Sequence, residues 1–263
     1  MPKDPIILLT NDDGYDAEGL NSMFEEARSL GEVYIVAPDR EQSACSMALT
    51  LHHPLRVKFV RKRVFAVDGT PADCIYLAVR RLLPAPPDLI ISGINRGPNL
   101  GQQDISYSGT VAGAVQGTFL QISSLAVSHK PENNGRCHFA YAAGVVSSLC
   151  RPLMKTPLPP GITLNINIPA PPVRGLRLCK LGQKRYHPEI VVKKDPRQRD
   201  YYWIGTGTPK ALGDPDSDVR LHEEGYITIT PLQRDLTADA ALRTPRMREL
   251  LEAAGSSIHP PKP

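Results

Sequence analysis

The chain opens with an uninterrupted apolar run, Ile6-Ile7-Leu8-Leu9-Thr10, closed by Asn11-Asp12-Asp13-Gly14. That pattern predicts a strand buried on both faces, followed by a turn. Leu20, Met23, Phe24, Ala27 and Leu30 then recur at helical spacing until Gly31 ends the helix. Val33–Ala37 is a second buried strand. A β-α-β unit within about 35 residues implies a right-handed crossover and a parallel sheet. Thr70-Pro71-Ala72-Asp73 starts a second helix, with Thr70 as cap, Pro71 at the first helical position and Asp73 complementing the dipole. This helix is expected to run through Leu77 to near Leu83 and to stop at Pro84. Asp88–Ser92 reads as a third buried strand, followed by a long glycine- and asparagine-rich loop from Gly93 to Gly109. A helix from about Thr110 to Leu120, a strand over Leu125–Ser128 and a helix from about His138 to Leu153 follow.

The texture changes after Pro157. Ile162–Ile168 alternates, and short strand-like pieces follow near Leu176–Leu181, Ile190–Val192, Tyr201–Ile204 and Tyr226–Thr230. This is antiparallel hairpin texture, expected to form arms that extend from the core. Met247–Ala254 reads as a short terminal helix. The predicted organisation is an α/β core over residues 1–156. Residues 157–263 complete the core sheet and add a β-rich extension and the final helix, within one structural domain.

Composition narrows the class. With 263 residues, 41% hydrophobic and 22% charged, the chain suits a globular α/β protein and not a disordered or disulfide-stapled one. The five cysteines are scattered without a C-x-x-C pair, which argues against a zinc or disulfide framework and for a reducing cytoplasm. No apolar run reaches the roughly 20 residues that span a bilayer, and the N-terminus passes into a strand without a signal-peptide pattern. The net charge of +4 is spread over short clusters such as Arg61-Lys62-Arg63, so neither nucleic acid nor membrane is an expected partner.

Three polar segments follow the three most buried strands: Asn11–Gly14, Asp39–Ser43 and Gly93–Asn99. In a doubly wound sheet the carboxyl ends of parallel strands share one edge, where ligands bind. These loops are therefore expected to face one site although they lie about 80 residues apart. Adjacent carboxylates at Asp12 and Asp13 raise one another's pKa unless a cation compensates. With the Ser43 hydroxyl and Asn95 carbonyl as hard oxygen donors, and no His or Cys in these loops, Mg²⁺ or Mn²⁺ is favoured over Zn²⁺. The competing interpretation is an Asp-Gly turn with no metal.

Ser106–Val111 opens a helix, where Ser108 or Thr110 can cap and free amides can bind an anion. A plain serine cap is the alternative. Beside a cation, an anion pocket suits phosphate, because charge stabilisation is what slow phosphomonoester hydrolysis requires. Two other acidic-pair folds fit poorly. A response-regulator receiver needs an aspartate ending its third strand, where this chain has Ser92-Gly93. A haloacid-dehalogenase-like phosphatase needs aspartates two apart, where Gly14 stands instead.

Five motifs occur in order: Leu8–Gly14 (LLTNDDG), Ala37–Ser43 (APDREQS), Gly69–Cys74 (GTPADC), Ser92–Gly101 (SGINRGPNLG) and Ser108–Ala112 (SGTVA). Together they resemble the SurE family of stationary-phase survival nucleotidases, densely from about residue 6 to 128 and more thinly through Gly225–Leu232 and Asp235–Thr237. The resemblance implies a Rossmann-like three-layer α/β sandwich with a mostly parallel sheet and a β-hairpin-rich C-terminal extension used in oligomerisation. It implies a phosphatase acting on nucleoside 5′- and 3′-monophosphates and on short polyphosphate, assembled as a homodimer or homotetramer in the cytoplasm. One divalent ion per subunit would be held by Asp12, Asp13, Ser43 and Asn95. Catalysis would involve Asp12, Asp13, Asn95 and Ser108, and phosphate contacts would come from Asn99, Ser108, Gly109 and Thr110. Many members carry glycine after the position of Ser43, whereas this chain has Ala44-Cys45-Ser46-Met47. Water is expected to attack phosphorus in line, without a covalent enzyme intermediate. The alternatives are a broad-specificity acid phosphatase and a non-catalytic nucleotide or metal sensor.

Other residues receive plainer assignments. His52 and His53 read as surface residues, and Cys45 as incidental. His129, ending the fourth strand, is a candidate for proton transfer. Arg96 can offset phosphate charge or simply be an exposed arginine. Trp203, with Tyr201 and Tyr202, is expected to pack a hairpin or subunit contact, with base stacking as the alternative. Asp216 and Asp218 read as turn residues.

Overall fold

In the computed structural model, which describes residues 4–255 apart from 187, 188, 206, 208 and 234, the first apolar run is β1 (Ile6–Thr10), with all five residues buried. Helix α1 (Glu18–Ala27) buries Leu20, Met23, Phe24 and Ala27 and leads to β2 (Glu32–Pro38), parallel to β1. A hairpin follows, β3 (Val57–Arg61) and β4 (Val64–Val67), with β4 parallel to β2. The sequence does not predict β3, because the strand is exposed along its length and carries no burial pattern.

Helix α2 (Pro71–Leu77) has the cap expected of it: the Asp73 amide donates to Thr70 Oγ1, and the Thr70 amide donates to Asp73 Oδ2. Asp73 also accepts from the amide and hydroxyl of Thr50, so it ties the preceding loop to the helix start. A wider π-helical turn over Ala78–Leu82 extends α2 towards Pro84. Strand β5 (Leu89–Arg96) is longer than predicted, and part of the presumed 93–109 loop is a helix, α3 (Gly101–Tyr107). Its sequence, Gly-Gln-Gln-Asp-Ile-Ser-Tyr, carries too few apolar residues to show a helical period. Next come α4 (Gly109–Phe119), β6 (Ser124–His129), α5 (Phe139–Lys155) and β7 (Ile162–Ile168).

The C-terminal third supplies β8 (Gly175–Leu178), β9 (Gln183–Arg185), β10 (Ile190–Lys194), β11 (Asp200–Ile204), β12 (Lys210–Leu212), α6 (Asp218–Glu223), β13 (Tyr226–Gln233), α7 (Asp239–Leu242) and α8 (Pro245–Gly255). Two hairpin-like ribbons, β10 with β11 and β9 with β12, stand outside the main sheet. Asp218 is not a turn residue. It is fully buried, and its carboxylate accepts amide hydrogens from Gly101, Gly182 and Val219. Its position at the start of a short helix, facing loops distant in sequence, could not be read locally.

The main sheet has nine strands in the order β3-β4-β2-β1-β5-β6-β7-β13-β8. Only the β3/β4 and β7/β13 pairings are antiparallel. One face is covered by α1 and α5 through Leu20, Met23, Phe24, Ala142 and Val146 packed on Ile7, Leu9 and Ile91. On the other face Cys74, Ile75 and Ala78 meet Leu8, Val36 and Ile90, with α4 beside α2. This is the expected α/β sandwich with added C-terminal hairpins. The strand order reverses between β1 and β5, so their carboxyl ends open the crevice where such sheets bind ligands. Among the described residues, no helix is long and apolar enough to cross a membrane.

Helix α1 closes against that crevice. A Cβ built on Gly19 would lie 2.0 Å from the Ile94 carbonyl oxygen, so only glycine permits this approach. Gly19→Ala is expected to cost about 3 kcal/mol through overpacking. Thermal unfolding should show the midpoint falling by roughly 6–12 °C.

Candidate active site

Two carboxylates follow β1 directly. Asn11 shapes their turn: its side-chain amide donates to the Gly14 carbonyl and accepts from the Gly14 amide. Asp12 is only 5% exposed. The Thr110 hydroxyl donates to its Oδ1 at 2.5 Å, and the Gly109 and Thr110 amides at the start of α4 also stabilise the carboxylate. Burial outweighs these donors and pushes the Asp12 pKa up. The helix start that the sequence offers to an anion is thus turned first towards a carboxylate of the protein itself.

Gly109 makes that contact possible. A Cβ there would meet Asp12 Cβ at 2.8 Å and Cys45 Sγ at 2.9 Å. Ser108 caps α4, its Oγ accepting from the Val111 amide at 3.0 Å. Asp13 is partly exposed and accepts from the Arg96 amide at 3.4 Å. Burial, followed by repulsion from Asp12 and then from Glu41, raises its pKa to about 6. The Arg96 guanidinium offsets little of this charge. Its Nη2 donates to the Gly135 carbonyl at 2.7 Å, while its charge still acts to lower the Asp13 pKa.

The loop after β2 joins this centre through its backbone. The Gln42 amide donates to the Asp12 carbonyl at 2.7 Å, and Ser46 bonds to the Tyr107 and Ser106 carbonyls at the α3–α4 junction. Ser43 is exposed, with its hydroxyl donating to Glu41 at 2.8 Å. Asn95 turns its amide nitrogen to the Gly97 carbonyl at 2.7 Å, which leaves its carbonyl oxygen as the donor atom available to a cation. Asn99 is anchored rather than open. Its side-chain amide donates to Ser128 Oγ, and its peptide is held by Asn165 and Asn167.

The donor chemistry fits a divalent cation. Two adjacent carboxylates, both with raised pKa, and a nearby third at Glu41 leave uncompensated negative charge. Asn95 and Ser43 supply neutral oxygens of the kind that Mg²⁺ and Mn²⁺ prefer. Among the described residues no group of three His, Cys, Asp or Glu side chains forms a metal cage. Cys45 is unsuited to nucleophilic attack, because burial and the Asp12 charge raise its thiol pKa to about 11.

His129 does not serve as the proton-transfer group. It is fully buried, its Nδ1 bonds the Ile168 carbonyl at 3.0 Å, and its Nε2 accepts the His138 amide at 3.0 Å. Both ring nitrogens are occupied in one neutral tautomer, and burial lowers its pKa. The residues missed by the sequence are Glu41, which adds charge beside Asp13, and the Asn165–Asn167 pair. The Asn-Ile-Asn alternation was visible, but its partner loop was not.

A parallel α/β sandwich with an acidic, oxygen-donor centre at its strand-order reversal defines the class. The family model for survival protein SurE matches residues 7–188, and the chain belongs to that family. A protein named 5′-nucleotidase SurE from Gemmatimonas aurantiaca is 48% identical over 247 residues, covering 90% of this chain and 96% of that protein. Another of that name, from Syntrophotalea carbinolica, is 44% identical over 232 residues, covering 88% and 92%. A crystal structure of the SurE protein from Aquifex aeolicus superposes with a TM-score of 0.80 at 36% identity, covering 93% of this chain and all of that one.

The raised pKa of Asp13 has a thermodynamic consequence. A carboxyl whose folded pKa exceeds its unfolded value penalises the native state above that folded value. The penalty fades as pH falls through about 6 towards the ordinary aspartate range. In EDTA at pH 7.5, Asp13→Asn is therefore expected to stabilise the protein by about 1 kcal/mol, after discounting for solvent screening. Differential scanning calorimetry should show a gain of roughly 2–4 °C that shrinks at pH 5.

Proposed function

We propose that this protein is a metal-dependent nucleotidase that hydrolyses nucleoside 5′- and 3′-monophosphates to nucleoside and phosphate, with short polyphosphate as a further substrate. The observation that carries this reading is the Asp12–Asp13 pair at the strand-order reversal, with Asp12 held against the start of α4. The names of the similar proteins support the nucleotide as substrate. One divalent ion per subunit, Mg²⁺ or Mn²⁺, would be held by Asp12, Asp13, Ser43 and Asn95. When bound, it supplies Lewis-acid polarisation of the phosphoryl oxygen and lowers the pKa of water.

The protein's own residues do the positioning. Thr110 fixes the Asp12 carboxylate in one orientation, and the Gly97 carbonyl fixes the Asn95 amide. Ser108, Gly109 and Thr110 form the phosphate-facing turn, where the dipole of α4 favours negative charge, and Asn99 contributes a phosphate contact from the loop that follows Asn95. Asp12, Asp13, Asn95 and Ser108 are the catalytic set, and attack by water is direct. Cys45, with its pKa at about 11, does not compete as nucleophile.

The assembly is a homodimer or homotetramer in the cytoplasm. Its support is the β10–β11 ribbon, outside the main sheet, which exposes Ile190, Val192, Tyr202 and Ile204 on one face. Exposed apolar patches of this kind mark protein contacts.

Phosphate release from nucleoside monophosphates and p-nitrophenyl phosphate, with Mn²⁺, Mg²⁺ or EDTA, tests the activity. Nucleotides are expected to turn over much faster than p-nitrophenyl phosphate, with loss of activity in EDTA. Asp12→Asn should lower kcat on the order of a hundredfold or more. Equal rates on all esters would demote the protein to a broad-specificity phosphatase. No release by folded protein with any metal would leave a nucleotide or metal sensor.

A further inference from the structure

Strand β7 carries two asparagines, Asn165 and Asn167, on one face, and both are fully buried. The alternate residues, Ile166 and Ile168, enter the core beneath α1 and α5. Buried strands of parallel sheets ordinarily present Val, Ile or Leu at such positions, because an amide loses its water there. The Asn165 Oδ1 atom is buried with no hydrogen-bond partner among the described residues.

Both side chains converge on a single residue. Asn167 Oδ1 accepts the Asn99 amide at 2.8 Å, and Asn167 Nδ2 donates to the Asn99 carbonyl at 3.0 Å. One side-chain amide thus pairs with both backbone groups of Asn99, as a neighbouring strand would. Asn165 Nδ2 donates to the same carbonyl at 2.9 Å. From β6, Ser128 Oγ accepts the Asn99 side-chain amide at 2.8 Å, and the His129 carbonyl accepts the Gly97 amide at 2.9 Å. The loop leaving β5 is therefore drawn across the end of β6 and fastened to β7. Asn95 orients its own side chain on Gly97, within that fastened segment.

We infer that Asn165 and Asn167 are positioning residues. By clamping the Asn99 peptide, they hold the loop that presents the Asn95 carbonyl oxygen to the cation. The inference rests on the metal-dependent reading above and adds to it residues that touch neither cation nor substrate. A ligand atom on a short loop is only as well placed as the loop itself. Losing the clamp should weaken cation binding and slow turnover in protein that is still folded.

The test measures Mn²⁺ dissociation constants without substrate, by the electron paramagnetic resonance of free Mn²⁺, together with unfolding midpoints and steady-state kinetics. Asn167→Ala is expected to raise the Mn²⁺ dissociation constant about tenfold, equivalent to roughly 1.4 kcal/mol. Its kcat at saturating Mn²⁺ should also fall by about tenfold. Thr163→Val is the control. It removes a buried hydroxyl pair with Thr118 from the same strand without touching the loop, so its midpoint should fall while Mn²⁺ affinity stays at the wild-type value. Should Asn167→Ala not fold, Asn165→Ala removes the second donor to the Asn99 carbonyl and should weaken Mn²⁺ binding about threefold. Wild-type Mn²⁺ affinity and kcat in folded Asn167→Ala, or in Asn165→Ala if that variant is needed, would overturn the inference and leave the nucleotidase reading standing. A wild-type protein that binds no Mn²⁺ would overturn both.

Discussion

The structure of the site depends on one buried carboxylate. Asp12 lies where β1 ends, almost fully shielded from water, and a charge in that position is tolerable only if donors are brought to it. The start of α4 brings them, through the Thr110 hydroxyl and the neighbouring backbone amides. That contact requires α4 to approach β1 closely enough that Gly109 can have no side chain. It also fixes the loop after β2, because the backbone carbonyl of the same aspartate receives the Gln42 amide. One residue thereby ties together a strand end, a helix start and a loop that are far apart in the chain.

The remaining electrostatics follow from how incompletely that charge is met. The hydroxyl and amides hold Asp12 in place, but they are neutral groups. Asp13 and Glu41 add charge of the same sign, and the Arg96 guanidinium is engaged with the Gly135 carbonyl. The site is rigid in its donors and short of positive charge, a combination suited to a divalent cation and an anionic ester together. Nearby polar groups are committed elsewhere: both nitrogens of His129 are bonded within the scaffold, and Asn99 is gripped by three side chains. The fold uses buried polar groups to hold loops and leaves few free to exchange protons.

Much of this was legible beforehand, and the reasons are specific. Ile6–Thr10 and Val33–Ala37 announce doubly covered strands because nothing in them is polar enough to face water. Thr70-Pro71-Ala72-Asp73 announces a helix start because each residue suits one position of the cap. The meeting of the chain after β2 and the end of β5 with the turn after β1 followed from placing these segments at one edge of a parallel sheet: the Gln42 amide reaches the Asp12 carbonyl and the Arg96 amide reaches Asp13. Helix α3 stayed hidden because it has little apolar periodicity and is held by contacts with the C-terminal segment, such as the Gln102 amide to the Gly182 carbonyl. Asp218 looked like a turn aspartate because its three amide donors come partly from residues 101 and 182. His129 looked available because its two partners, at Ile168 and His138, are set by how β6, β7 and the start of α5 pack.

By itself, the sequence determined the types of most core elements, the parallel core, the order of the loops along one sheet edge and the oxygen-donor character of those loops. These depend on local burial patterns and side-chain chemistry, which are written residue by residue. Tertiary structure alone decided which of the candidate groups are engaged and which are free. It turned the α4 amides towards Asp12, held His129 in a neutral tautomer, tied the Arg96 guanidinium to Gly135 and clamped Asn99 from β7. Each of those outcomes depends on hydrogen-bond partners brought together from distant parts of the chain. A hydrogen bond is decided within a few tenths of an ångström, which only the packed fold specifies.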